Sequence, residues 1–349
     1  MNKHIALAAL AVASFCAAPA LAQELPKTDL QVVGGFSNLT AYQEYEQPFW
    51  TKTVPELSKG RVQARIKGLN EMGLKGPELL RLMGQGVIQF GTAPLSYFAA
   101  DNPINEAVDL AGISPDAKTA RAVTEAFEPV YAKHYSQAGN VRLLGVSTYP
   151  AQVLFCNAEI KGLADIKGKK VRTAGRTQSE FVQALGGSSV TMAFGEVVPA
   201  LQNKVVDCAI TGSLSGYSAK WYEVSTHLVA LPISWSQVLH AVNQKTWDSF
   251  TPALQSFLQT NIDKMVDDIW DAAARQTQEG YDCNSGAAAC PYQVKGHMTL
   301  VQPSQADREL LRKITVETTL PKWAARCTDQ CVAEFNDTIG QVIGLRAAK

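Results

Sequence analysis

Arg172 is the residue of this chain best placed to do chemistry. It ends a short β-branched run that follows the turn Lys167-Gly168-Lys169, so its guanidinium falls where a strand stops and a loop begins. In open α/β sheets that edge is where ligands bind. A planar, permanently charged fork is also the side chain that can hold a carboxylate bidentately. Arg176, four residues on, reads as a solvated helix-start residue, with a place on the cleft rim as the alternative. Other chemistries are poorly supported. Gly212-Ser213-Leu214-Ser215-Gly216 resembles a nucleophile elbow, but GxSxG needs serine where Leu214 stands. His134, His227, His240 and His297 are far apart and form no metal-ligand spacing. No paired carboxylates stand out for acid–base work. The reading is therefore a binding site that needs no metal and no cofactor, with an exported hydrolase as the rival.

The elements that must position Arg172 follow a βαβαβ rhythm. After the strand come a helix over 178–185, a strand over 189–193, a second helix from about Gly195 and a strand over 205–210, which together predict a parallel sheet. In the first half, strands are expected over 30–33, 61–66 and 87–92, with helices over 40–57, 76–83 and 117–138. The first strand runs into Gly34-Gly35, and the helix after Ser37-Asn38 could turn backbone N–H groups toward an anion. A complete GxGxxG is missing, so a nucleotide fingerprint is not present. Strands over 142–146 and 152–155 flank Ser147-Thr148-Tyr149-Pro150, which reads as a crossover between domains. A strand over 235–242 precedes a long helix over about 252–281, with Leu254, Leu258, Met265, Ile269 and Ala273 on one face. An alternating edge strand over 292–300 and a largely helical tail over 305–343 complete the chain.

The ends and composition bound the compartment. Met1 to His4 is basic, an apolar run extends from Ile5 to Ala18, and Ala20-Leu21-Ala22 supplies an A-x-A site. That is the pattern of a secretory signal peptide cleaved after Ala22, giving a periplasmic protein. Lys and Arg total 32 against 32 Asp and Glu; without a basic stripe, nucleic acid is not an expected partner. About 330 mature residues exceed one ordinary core, so two domains are expected. Six cysteines, at 156, 208, 283, 290, 327 and 331, follow Ala22. An even number in an exported chain favours disulfides, though six allow fifteen pairings. Cys283 and Cys290 could close a turn-prone loop, and Cys156 and Cys208 could bridge neighbouring strands. Cys327 and Cys331 suit one face of a helix, where a direct bridge is strained if the helix is regular. A four-cysteine zinc site is the alternative for the last four.

Several landmarks together resemble one family: Asp165-Ile166-Lys167-Gly168-Lys169-Lys170-Val171-Arg172, then Met192-Ala193-Phe194-Gly195-Glu196-Val197, Ala200-Leu201-Gln202 with Val206-Asp207, and Tyr222-Glu223-Val224. Their order and spacing resemble the extracytoplasmic solute-binding proteins of TRAP transporters, the DctP-like family. The C-terminal sixty or so residues match poorly. The resemblance implies a two-lobed α/β periplasmic binding protein fold, each lobe a mostly parallel sheet flanked by helices, with a long helix spanning both. Lobe I would comprise 23–148 plus about 238–277, and lobe II 149–237 plus about 278–349. It further implies that Arg172 grips a substrate carboxylate and that Phe194 lines the pocket. Gln152 stands where many members carry a second arginine, and Thr211 where an asparagine reaches the ligand. Tyr97, Tyr149, Tyr217 and Trp235 lie near strand ends or cleft loops. Gly35, Asn38 and Thr92 complete the candidate ligand-binding set. Glu196 is expected to act as a helix N-terminal anion. The implied partners are one small organic acid, a monocarboxylate by preference, and a TRAP membrane permease; the receptor itself would be a monomer.

Overall fold

The computed structural model describes residues 24–138 and 140–349; the expected signal peptide and its cleavage site lie outside them. Among the described residues eleven strands form two sheets. The first, of lobe I, has the order β2 (Val62–Gly68), β1 (Thr28–Gly34), β3 (Phe90–Pro94), β10 (Gln237–Asn243), β4 (Val141–Thr148). The second, of lobe II, has the order β11 (Thr299–Val301), β9 (His227–Ser234), β5 (Gln152–Cys156), β8 (Cys208–Gly212), β6 (Lys170–Thr173), β7 (Ser188–Thr191).

Each sheet is parallel except for one reversed strand. In lobe I it is β10, antiparallel to both β3 and β4; in lobe II it is β5, antiparallel to β8 and β9. Both reversals have the same cause. β4 passes into β5 through residues 149–151, and β9 into β10 through Trp235-Ser236. A short crossover enters the new sheet at its cleft edge, where the other strands end, so the arriving strand must run backwards. Gln152, the first residue of β5, thereby comes level with Gly212 at the end of β8.

The helix Pro252–Ser285 ties the lobes together. Its predicted apolar face is buried throughout. Near its middle Trp270 Nε1 donates to the Val146 carbonyl, and earlier Gln259 Nε2 donates to that of Leu144, both on β4. At its far end Ser213 Oγ donates to the Thr277 carbonyl and Asn284 to that of Ser213. Gly280 makes this close seating possible, since a Cβ there would sit 2.3 Å from the Leu214 nitrogen. Glu128 accepts the Val146 N–H, so side chains occupy backbone groups on the open edge of β4 that would otherwise invite another strand.

The sequence placed the tail from 278 onward in lobe II, and the structure divides it. Leu311 and Ile314 of the helix Gln305–Ile314 join the lobe II core. Leu320, Trp323, Ala324, Phe335 and Ile339 instead bury against the lobe I helix Ala117–Ala138 and its neighbours. The chain thus crosses between the lobes a fourth time near Leu320, after the two short crossovers and the helix Pro252–Ser285, because the apolar stripe beyond that point completes the first core. The edge strand expected over 292–300 is reduced to Thr299–Val301. The six cysteines form three bridges, Cys156–Cys208, Cys283–Cys290 and Cys327–Cys331. The last is accommodated because the helix Leu320–Arg326 stops at Cys327, which is extended, before the next begins at Asp329. The four-cysteine zinc site is overturned by these pairings. Among the described residues no group of His, Cys, Asp or Glu could hold a metal, and no helix is long and apolar enough to cross a membrane.

Candidate functional site

Arg172 is the third residue of β6, paired with Val190 on one side and Ala209 on the other. Its side chain reaches past the strand ends and is only 1% exposed. Nε and Nη2 donate to the Met192 carbonyl at 3.1 and 2.9 Å, and Nη1 to that of Ile210 at 2.9 Å. A guanidinium has five N–H groups, so two remain free. Every bond it makes goes to a backbone carbonyl. Glu196, the acid whose charge acts on it, is paired instead with Lys75 at 3.5 Å. Burial lowers the guanidinium pKa to about 10, which leaves it charged at neutral pH. A buried cation without a counterion is costly unless something anionic completes it.

The cavity beside Arg172 lies between the lobes. Lobe II contributes Gln152, Arg172, Ala174, Phe194, Thr211 and Ser215. Phe36, Leu39, Pro94, Tyr97, Tyr149 and Ser236 close it from lobe I and the two crossovers. Phe194 stacks on the buried Trp221 at 5.6 Å and tilts against Phe36 at 5.4 Å, so it touches both lobes. Tyr97 packs edge-on to Phe36 at 6.4 Å. Burial raises its hydroxyl pKa, while the Arg172 charge and a hydrogen bond with the Phe194 backbone oppose the rise. Gly76 permits this position, because its φ is +112° and a Cβ would fall 1.9 Å from the Tyr97 ring. The Tyr149 hydroxyl is buried without a well-formed hydrogen bond. Gln152 turns its amide N–H back to the Pro150 carbonyl at 3.0 Å. The enclosed space is about 30 Å³, room for roughly two waters, so the lobes stand closed over it. Past Tyr97 and Ala174 it adjoins an outer cleft of about 970 Å³ lined in part by Lys75, Arg176, Ser179, Thr191 and Arg326.

Six of the ten predicted binding residues therefore meet at one cavity: Arg172, Phe194, Gln152, Thr211, Tyr97 and Tyr149. The other four stand elsewhere. Trp235 ties its indole N–H to the Ser114 carbonyl at 2.9 Å and belongs to the crossover. The Gly35 N–H is held by Glu46 at 2.8 Å, so it is not free for an anion. Asn38 is exposed. Thr92 is buried against His240 at 3.2 Å. Tyr217 stacks with Tyr222 and Tyr292 on the outside, 5.5 and 5.4 Å away. Arg176 is at the cleft rim, 3.6 Å from Glu180. Glu196 caps the Ala193 N–H at 3.2 Å at the start of its helix, as expected. Phe36, Leu39, Pro94, Ala174, Ser215 and Ser236 were not anticipated.

Among the described residues, the buried serine–histidine contact of lobe I does not form a hydrolytic triad. Ser147 Oγ lies 2.7 Å from His240 Nε2, but the other ring nitrogen faces Thr92 rather than a carboxylate. All three are buried in the lobe I sheet, and burial lowers the His240 pKa to about 4.

The profile of the family described as bacterial extracellular solute-binding protein, family 7 (DctP), matches residues 38–313. The chain belongs to that family. Family 7 is a family of solute-binding proteins, not of enzymes. The 2,3-diketo-L-gulonate-binding periplasmic protein YiaO of Escherichia coli K12 is 23% identical over 209 residues, 59% of this chain and 60% of its own. The alignment thus spans less than two thirds of that relative. A TRAP periplasmic solute-binding protein from Desulfovibrio salexigens with bound orotic acid has a TM-score of 0.79 at 18% identity, covering 90% of this chain and 99% of the other. A Bordetella pertussis extracytoplasmic solute receptor binding pyroglutamic acid gives 0.78 at 18%, covering 89% and 99%. At that identity what is shared is the fold, two α/β lobes and the long helix between them.

Two buried acids near the lobe junction set a pH dependence for this family-7 chain. Burial raises Glu46 to about 7 against the pull of the Gly35 N–H. It also raises Asp109 to about 7, against N–H bonds from Trp235 and Ser236 at the second crossover. The folded protein therefore holds protons that the unfolded chain releases above its ordinary carboxyl pKa near 4. Their contribution is complete below that pH and is lost as pH rises toward 7, with a slope of up to about 1.4 kcal/mol per pH unit for each group. Urea unfolding at pH 5, 6, 7 and 8 should show stability falling across the range, and Glu46→Gln should flatten the fall. A stability that rises from pH 5 to 7 would contradict this assignment.

Proposed function

We propose that the protein is a periplasmic receptor that encloses one small organic acid between its lobes and delivers it to a TRAP-type membrane permease. The observation that carries this reading is Arg172, a cation 1% exposed, bonded only to backbone carbonyls, with two N–H groups left at an interlobe cavity. The ligand carboxylate completes it, with Phe194, Phe36 and Tyr97 flanking the body and Gln152, Thr211 and Tyr149 offering polar groups. Closure excludes water, which strengthens the ion pair and penalises any unmatched polar group. Export to the periplasm and action as a monomer accord with this role.

The cavity offers one fixed cation, because Gln152 is neutral. Monocarboxylates should therefore bind more tightly than dicarboxylates of similar size, and Gln152→Arg should narrow or reverse the difference by about 1.5–3 kcal/mol. Thermal-shift screening against an organic-acid library identifies the ligand, since a hundredfold excess over Kd stabilises by about 3 kcal/mol. Matched Kd values on both variants then test the preference. Tight dicarboxylate binding unaffected by the substitution would mean that another residue, Arg176 first, supplies a second cation. Consumption of the hits instead of their intact release would point to the hydrolase.

A further inference from the structure

The segment beyond the family match, which ends at residue 313, contributes a charged group to the cleft. Arg326 closes the helix Leu320–Arg326, whose apolar residues are embedded in the lobe I core. Its Nη2 donates to Glu106 at 2.7 Å, also in lobe I, and its Nη1 to Glu180 at 2.5 Å. Glu180 is on the helix Arg176–Ala184, whose Phe181 and Val182 belong to the lobe II core. One guanidinium thus joins the two lobes. The side chains are 14%, 3% and 9% exposed for Arg326, Glu106 and Glu180. Glu106 Oε1 and Glu180 Oε2 are buried without any hydrogen bond, so each carboxylate depends heavily on Arg326. Arg176 adds only a looser contact to Glu180 at 3.6 Å. Cys327, bridged to Cys331, follows directly and fixes the end of the segment that carries the arginine.

We propose that Arg326 and Glu180 form a clasp that closes the cleft, with the C-terminal segment setting how much of the ligand-free protein is closed. Arg326 lines the outer cleft with Arg176 and Gln183, and with Glu180 the same residues line a smaller pocket beside it, between the helices Arg176–Ala184 and Leu320–Arg326. Parting the lobes draws Glu180 from Arg326 while Glu106, on the same lobe as the arginine, stays. The pair is therefore made only in the closed form, and an interaction present in one state alone shifts the equilibrium toward it. Because a ligand that needs the closed form binds in proportion to its population, the clasp also scales affinity without touching the ligand.

The test uses the full mature protein without ligand. Spin labels at Lys67→Cys in lobe I and Gln202→Cys in lobe II report the interlobe distance, and pulsed electron resonance gives the ratio of closed to open molecules. Glu180→Gln removes the charge at constant shape, and Glu180→Asp keeps the charge but withdraws it by one methylene. Each should lower the closed-to-open ratio by about tenfold, whereas Glu309→Gln, an exposed change on the helix Gln305–Ile314, should leave it unaltered. Circular dichroism checks folding, and either variant suffices if the other is unstable. An unchanged ratio in a folded Glu180 variant overturns the clasp. So does a single distance shared by all the proteins. Neither result bears on the organic-acid reading, which stands on Arg172.

Discussion

Arg172→Ala is expected to weaken organic-acid binding by roughly 2–5 kcal/mol, because a carboxylate in a closed cleft loses the buried cation that pairs with it. That is about thirty- to several-thousand-fold in Kd. The same structure predicts a second effect. The guanidinium satisfies the carbonyls of Met192 and Ile210, and leaving a buried acceptor unpaired costs about 1–3 kcal/mol of stability. The two losses are separable. Circular dichroism and urea unfolding measure the stability term, and calorimetry on the folded variant measures the binding term. Arg172→Lys keeps a charge but not the fork, so it should recover part of each. A binding loss below about 0.5 kcal/mol in folded Arg172→Ala protein would remove this residue from the site.

Arg172 was legible in the sequence because several local signals coincide there: a glycine turn, a β-branched run and a guanidinium at its end. Where the signal depended on tertiary contact, the sequence was weaker. The sequence pattern ends strand β3 at Thr92, but it continues to Pro94. Two residues further along, on the same face of the pleat, Pro94 lines the cavity while Thr92 meets His240. The sequence pattern starts a strand at Trp235, but it begins at Gln237, and the residues at 235 and 236 form the crossover. Strand β9, just before it, was missed; its Pro232 argues locally against a strand. Phe36 follows Gly34-Gly35 so closely that nothing local separates a cavity wall from a core residue. The tail past Leu320 carries a clear amphipathic pattern, but periodicity tells that a face is buried and not against which lobe. That is why the lobe I packing of Trp323 and Phe335, and the reach of Arg326, required the fold.

Removing the Cys156–Cys208 bridge should produce the largest loss of stability and a much smaller loss of binding. The bridge closes a loop with a sequence separation of 52, for which the chain-entropy estimate is about 4 kcal/mol. Both residues are fully buried among Leu154, Val171 and Ile210, so Cys156→Ala/Cys208→Ala adds the cost of two small voids. The functional consequence follows from register. Cys156 pairs with Cys208 at one end of the β5–β8 ladder, while Val153 pairs with Thr211 and Gln152 with Gly212 at the cleft end. The bridge lies at the far end from the cavity, and two further pairs, Leu154 with Ile210 and Phe155 with Ala209, lie between and hold Gln152 and Thr211 in place once the sheet has formed. Urea unfolding should therefore show the double variant destabilised by roughly 4 kcal/mol or more, with Kd for the organic acid changed by less than about threefold while the protein remains folded. Thiol titration of the denatured, unreduced mature parent, which begins after Ala22, should find no reactive group, as three bridges among its six cysteines require. A double variant as stable as the parent would show that the strand ladder alone fixes the unfolded-to-folded balance here. A large loss of affinity in a folded double variant would show instead that the bridge holds Gln152 and Thr211 in register through the length of the two strands.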